Sequence, residues 1–215
     1  MEEKIFSVIL NETKLAYESS SLSNSGWFYS IASTRIFDNC TLLIGLNWGV
    51  GKEPHEPQKS MPIKSFDELY SIKGELGSFS RLHGRLKTYL KPEDFNKIVQ
   101  SNFCFFRTPS DRELLPEHIK LTIPIFNKLI NEVRPRQILC FSKIAYNYLI
   151  STNYEPLFKK EIKSNKKTLF VEKGYLNRNE RVKIYFLPHP NSKFTRPALD
   201  EAWDFCFNEF TINKS

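Results

Sequence analysis

An α/β sandwich around a mainly parallel sheet is the fold this sequence predicts, and three observations predict it. Short apolar runs bounded by turn signals recur along the chain. Helical patterns lie between them, and no internal repeat interrupts the alternation. At 215 residues the chain fits one domain with a sizeable core.

The strand candidates are CTLLIGL (40–46), NFCFF (102–106), QILCF (137–141) and KIYFLP (183–188), with TLFVE (168–172) an open case. Residues 79–91 place Phe79, Leu82, Leu86 and Leu90 on one helical face. Residues 117–133 do the same with Ile119, Ile123, Phe126, Ile130 and Val133, and Pro135 marks the stop. Shorter helices are expected over 142–150 and 197–210, the latter with Pro197 near its start. Residues 1–34 read as a polar, Ser-rich extension that becomes aromatic at Trp27, Phe28 and Tyr29. The lysines at 159, 160, 163, 166 and 167 lie in a polar segment that reads as a solvated loop.

A net charge of +7 and a pI of about 9.1 favour a polyanionic partner. Cys40, Cys104, Cys140 and Cys206 are far apart, which argues against disulfides and a zinc ribbon, and three of them sit in apolar runs. No cofactor is expected. No secretion signal and no long apolar run stands out, so a cytoplasmic monomer without membrane contact is expected.

In open α/β sheets ligands bind at the carboxyl ends of strands. After the first run comes Gly45-Leu46-Asn47-Trp48-Gly49-Val50-Gly51, which has neither P-loop nor dinucleotide-fingerprint spacing and by itself also fits a plain turn. The second run opens on Asn102, an amide suited to reading a base edge or to an internal hydrogen bond, and continues to Arg107. The last run ends in His189-Pro190-Asn191-Ser192-Lys193-Phe194-Thr195-Arg196-Pro197, a stiff loop carrying a histidine. In that loop Ser192, Lys193 and Arg196 suit phosphate contacts, and Phe194 suits a wedge into a base stack.

These pieces, in this order, resemble the uracil-DNA glycosylase superfamily over residues of about 40 to 205. GLNWG (45–49) is similar to the family's Gly-x-[Asp/Asn/Glu]-Pro-[Gly/Tyr] water-positioning loop, with Asn47 as its polar residue and Trp48 in place of Pro. GSFSRLHGRL (77–86) resembles the stretch in which a base-stacking Phe, here Phe79, precedes a Gly, here Gly84. SNFCFFRTPSDREL (101–114) carries Asn102 at the base-reading position. RPRQILCFSKIAYNYL (134–149) matches a strand-turn-helix pattern with Ser142 replacing its Gly, and HPNSKFTR (189–196) resembles the His-Pro-Ser loop with Asn191 for the Ser.

The resemblance implies a three-layer α/β/α sandwich and a monofunctional DNA glycosylase that flips a pyrimidine nucleotide and hydrolyses its N-glycosidic bond. Asn47 and His189 are then the catalytic residues. Phe79, Asn102, Trp48 and Gly49 hold the base, and Lys193, Phe194, Arg196, Ser192 and Arg107 meet DNA.

Uracil is the default base, and the setting is DNA repair. Gly49 stands where strict uracil enzymes carry a Tyr that excludes 5-substituted pyrimidines. A segment at 51–77 lengthens the spacing from Asn47 to Phe79 and reads as a lid, a DNA-contacting loop or room for a larger base. An antiviral alternative follows, excision of a bulky 5-modified base such as glucosylated 5-hydroxymethylcytosine. A second alternative is a DNA-binding module without catalysis, because Asn47 cannot act as a carboxylate base. A nucleotide-binding metabolic enzyme would need a phosphate loop that the sequence does not show.

Overall fold

The computed structural model describes residues 2–49, 56–70, 80–151, 153–165, 167–177, 180–190 and 192–208. In chain order its elements are α1 (Glu2–Glu18), β1 (Thr41–Gly45), β2 (Trp48–Gly49), α2 (Phe66–Tyr70), α3 (Ser80–Tyr89), α4 (Pro92–Phe95), β3 (Ile98–Asn102) and β4 (Arg107–Thr108). They continue with α5 (Pro116–Val133), β5 (Gln137–Cys140), α6 (Lys143–Ile150), β6 (Tyr154–Ser164), β7 (Lys167–Asn177), β8 (Arg181–Phe186) and α7 (Arg196–Phe207).

The chain is an α/β protein whose six-stranded sheet runs β3-β1-β5-β8-β7-β6. The four strands from β3 to β8 are parallel, and β7 and β6 continue antiparallel. TLLIG of β1 is buried almost throughout, as a strand with neighbours on both edges and helices on both faces must be. Side chains alternate between two cores. Leu42, Ile44, Val99, Ile138 and Ile184 face Phe126 and Ile130 of α5 and Ala145 and Leu149 of α6. Leu43, Ile98, Leu139 and Tyr185 face Phe66 of α2, Leu82 and Leu86 of α3, and Ala202 and Trp203 of α7.

Sequence and structure differ most in three places. NFCFF is not a strand. The strand is IVQSN, ending at Asn102, and residues 103–106 form its buried exit, with Phe103 N–H donating to Gly45 O (3.1 Å) and Cys104 N–H to Leu46 O (2.8 Å). Their apolarity reflects burial of the exit against α5, where Phe103 meets Phe126 edge-on.

The polar extension is also structural. Phe6, Ile9, Thr13 and Tyr17 form the buried face of α1, which packs against α5. Residues 29–32 then run antiparallel along the outer edge of β3 through Tyr29–Phe106 and Ala32–Ser101 bridges, covering an edge that would otherwise be open.

The lysine-rich segment is not a loop but most of β6 and the start of β7, an antiparallel hairpin. An edge strand with one face in solvent alternates, so its lysines interleave with the buried Ile162 and Ser164.

Other elements follow the expected lines. Leu82, Leu86 and Leu90 are buried, as are Phe126, Ile130 and Val133, while Ile119 and Ile123 are only partly so. α5 ends at Arg134 in the left-handed region (φ 41°). Pro135 then prevents continuation. Ser142, where the family pattern has Gly, caps α6 by accepting a hydrogen bond from Ala145 N–H at 3.3 Å. TLFVE, an open case among the expected parallel strands, is a strand within β7 but pairs antiparallel with β6. Within the 51–77 segment, residues 56–70 are anchored: the Gln58 amide bonds to Ile31 N–H (2.7 Å) and Ala32 O (2.8 Å), and α2 enters the second core. No helix among the described residues is long and apolar enough to cross a membrane.

Candidate nucleic-acid site at the carboxyl end of the sheet

β1 supplies the centre of the site because its two parallel neighbours, β3 and β5, lie on opposite sides of it and the chain diverges there. The registers bring Gly45 level with Asn102 and, one step back along β1, Ile44 level with Cys140 and Cys140 level with Phe186. Asn102, Asn47 and His189 therefore all leave the same edge of the sheet. From β3 to β8 there are three interstrand intervals, about 14 Å at ~4.8 Å each.

Asn102 is 5% exposed, and its side-chain amide makes no hydrogen bond among the described residues. Its Oδ1 lies over Gly45 so closely that a Cβ there would come within 2.1 Å of it. Gly45 is thus the residue that admits the amide, a role that needs no unusual backbone angle. Buried amides are normally satisfied from within the protein. At a strand end such an amide offers one donor and one acceptor side by side.

Asn47 is half-buried just beyond β1. Its Nδ2 donates to Thr108 Oγ1 at 2.7 Å, and Thr108 Oγ1 in turn donates to Ser110 O at 2.7 Å. The donor side of Asn47 is thereby fixed, and its Oδ1 has no partner among the described residues. The local pairing of β2 with β4, Trp48 beside Arg107 and Gly49 beside Thr108, holds this arrangement. Thr108 is a positioning residue with no sequence signal, because only the β2–β4 pairing brings it to Asn47.

His189 follows β8 and is half-buried, with its ring edge-on to Phe141 at 5.4 Å between centroids. Burial pushes its imidazole below the usual value of 6.5, so the neutral ring prevails at neutral pH. The loop is pinned from several directions. Leu187 N–H donates to Cys140 O (3.0 Å), Trp203 Nε1–H to Pro188 O (3.3 Å), and Ser192 N–H (2.8 Å) and Oγ–H (2.5 Å) to His189 O. The Ser192 hydroxyl proton is therefore committed to the turn. Phe141, which the apolar run 137–141 makes the last residue of a strand, instead begins the exit from β5 and packs against the histidine.

Beyond His189, Lys193 is exposed, Phe194 is half-buried against the second core, and the Arg196 side chain is 91% exposed. A cleft of about 620 Å³ joins Ser192, Phe194 and Arg196 to Arg81, Gly84 and Arg85 of α3. Arg85 is held by Asp200 and lies over the Trp203 ring. A Cβ added at Gly84 would meet nothing within 4 Å, so its position is open. Arg81 and Arg85 escaped the sequence reading because they are scattered charges until α3 sets them one turn apart.

Arg107 is half-buried beside Trp48, and its Nε is fully buried without a partner among the described residues. Burial lowers its guanidinium from the usual range. Phe79 and Asn191 lie outside the described residues, as does the side chain of Trp48.

Cys40, Cys104, Cys140 and Cys206 are all free and buried; burial pushes the thiols of Cys140 and Cys206 up to about 12. Among the described residues no group of His, Cys, Asp or Glu could hold a metal ion. The comparison with protein-family models finds no match for this chain, and the search of curated proteins finds no relative.

Proposed function

We propose that the chain is a monofunctional DNA glycosylase with a three-layer α/β/α architecture like that of the uracil-DNA glycosylases. It flips a pyrimidine nucleotide into the carboxyl-end pocket and hydrolyses the N-glycosidic bond, leaving an abasic site. The observation that carries the proposal is the 5%-exposed Asn102 amide, level with Gly45 and without a hydrogen-bond partner among the described residues. An amide presents a donor and an acceptor side by side, which matches a pyrimidine edge.

The chemistry follows from the remaining groups. The C1′–N1 bond breaks through a cation-like sugar, with its electron pair passing to the base, and water oxygen forms the new bond to C1′. Asn47 Oδ1 accepts from that water and orients it; it is not a base, so the water proton leaves to solvent. The neutral His189 ring donates a hydrogen bond to the pyrimidine oxygen on which negative charge grows, and the released base is then protonated. Burial supports the neutral form, since a half-buried imidazole resists protonation. The basic cleft around Arg81, Arg85 and Arg196 suits backbone phosphates.

The test is abasic-site formation in a duplex carrying one uracil and in DNA carrying bulky 5-modified cytosines. Asn47→Ala and His189→Ala are each expected to slow release by about 10²–10³-fold while still melting cooperatively as folded proteins, Asn47→Ala with a loss of about 1–3 kcal/mol for its hydrogen bond to Thr108. DNA that binds without forming an abasic site in any substrate would leave only a binding module.

A further inference from the structure

We propose that the β6–β7 hairpin is a second DNA-contact arm whose lysine face grips backbone phosphates of the duplex flanking the pocket. The direction from which DNA arrives rests on the glycosylase reading. The arm itself is argued from register, charge and exposure.

β7 pairs with β8 only from Glu172, opposite Phe186, to Asn177, opposite Arg181. Lys167 to Val171 therefore have no β8 partner, while they remain paired with Lys160 to Ser164 of β6. Phe186 is the carboxyl end of β8, so the hairpin overhangs the sheet at the end from which Asn47, Asn102 and His189 emerge. Five residues at ~3.3 Å extend about 17 Å, the rise of about five base pairs. The overhang is firmly held. Thr195 N–H donates to Ser164 Oγ at 2.9 Å, tying the hairpin to the His189 loop, and Ile162 and Leu169 are buried in the core beneath it.

Its two faces differ. Ile162, Ser164, Leu169 and Val171 point inward. The pairing of Glu161 with Phe170 sets the other face, which also carries Lys159 and Lys163. Lys143 of α6 joins them with its ammonium 5.7 Å from the Phe170 ring centroid. Among the described residues Lys143, Lys159 and Lys163 on this face make no ion pair, whereas on the inward face Lys160 pairs with Glu201. An exposed aromatic amid unpaired ammoniums, overhanging the sheet end from which Asn47, Asn102 and His189 emerge, complements a phosphate backbone.

The experiment measures binding of the full chain to a uracil-bearing duplex over a salt series, in an Asn47→Ala background that keeps the DNA intact. Lys143→Gln, Lys159→Gln and Lys163→Gln together are expected to reduce the slope of log affinity against log salt by about 2–3. Lys4→Gln, Lys91→Gln and Lys97→Gln together, at the opposite end of the sheet, should leave the slope in place, and both triple variants should melt with the parent.

Base release by the otherwise wild-type chain is read separately. An unchanged slope overturns the arm even if base is released. Equal losses in both triple variants, or a parent that does not bind DNA, also overturn it. A slope lost only in the arm variant supports the arm even if no base is released, and then it is the glycosylase reading that falls.

Discussion

At the residue scale, Asn102 is where a stabilising role and a ligand-reading role predict different outcomes. An amide with internal hydrogen bonds costs about 1–3 kcal/mol to remove. Asn102 has none among the described residues, so Asn102→Ala is expected to change stability by less than about 1 kcal/mol while lowering base release by about 10²-fold or more. Paired urea melts and single-turnover assays read both; a large loss of stability would return Asn102 to a structural role.

His189 carries a pH prediction. Its value is lowered by burial, so the neutral donor persists as pH falls and is lost only below the usual 6.5. Base release should be level from about pH 8 to 6.5 and decline further down. A limb centred above that range would point to a different ionisation. Both residues stand out in the sequence because an isolated amide and a proline-locked histidine are local signals, although the sequence puts Asn102 at the start of a strand and the structure puts it at the end of one. Gly45, Thr108 and Phe141 were not. Their parts arise from the β1–β3 register, the β2–β4 pairing and the exit from β5, none of which is a local pattern.

At the element scale, the parallel strands with continuous apolar runs and the long helices were readable, and the elements at the margins were not. α1 was hidden because Thr13 occupies its buried face, its hydroxyl donating to Ile9 O at 2.8 Å and so concealing the helical stripe. β6 was hidden because charged residues alternate with few apolar ones on an edge strand. NFCFF misled in the other direction, because a buried strand exit is as apolar as a strand. The α1 assignment has a direct consequence. Phe6 is 2% exposed in the first core, and Phe6→Ala is expected to cost about 3–5 kcal/mol in a urea melt although it lies far from the pocket in sequence. A loss below about 1 kcal/mol would show that residues 2–18 are dispensable to the core.

At the scale of the whole molecule, one sheet edge gathers what the sequence scatters. Four parallel strands deliver Asn102, Asn47, Phe141 and His189 to the same side, α3 and the His189 loop add arginines around a cleft, and the hairpin carries Lys159 to the rim and Lys163 past it. The net charge of +7 gains meaning from that placement more than from its size. The most direct measurement is mass spectrometry of bases released from DNA containing uracil or 5-modified pyrimidines, with abasic sites counted in the same samples. The expected result is one free pyrimidine per abasic site from at least one of these DNAs, lost in Asn47→Ala and His189→Ala. Binding to every DNA with neither free base nor abasic site, or release undiminished in both variants, would contradict it.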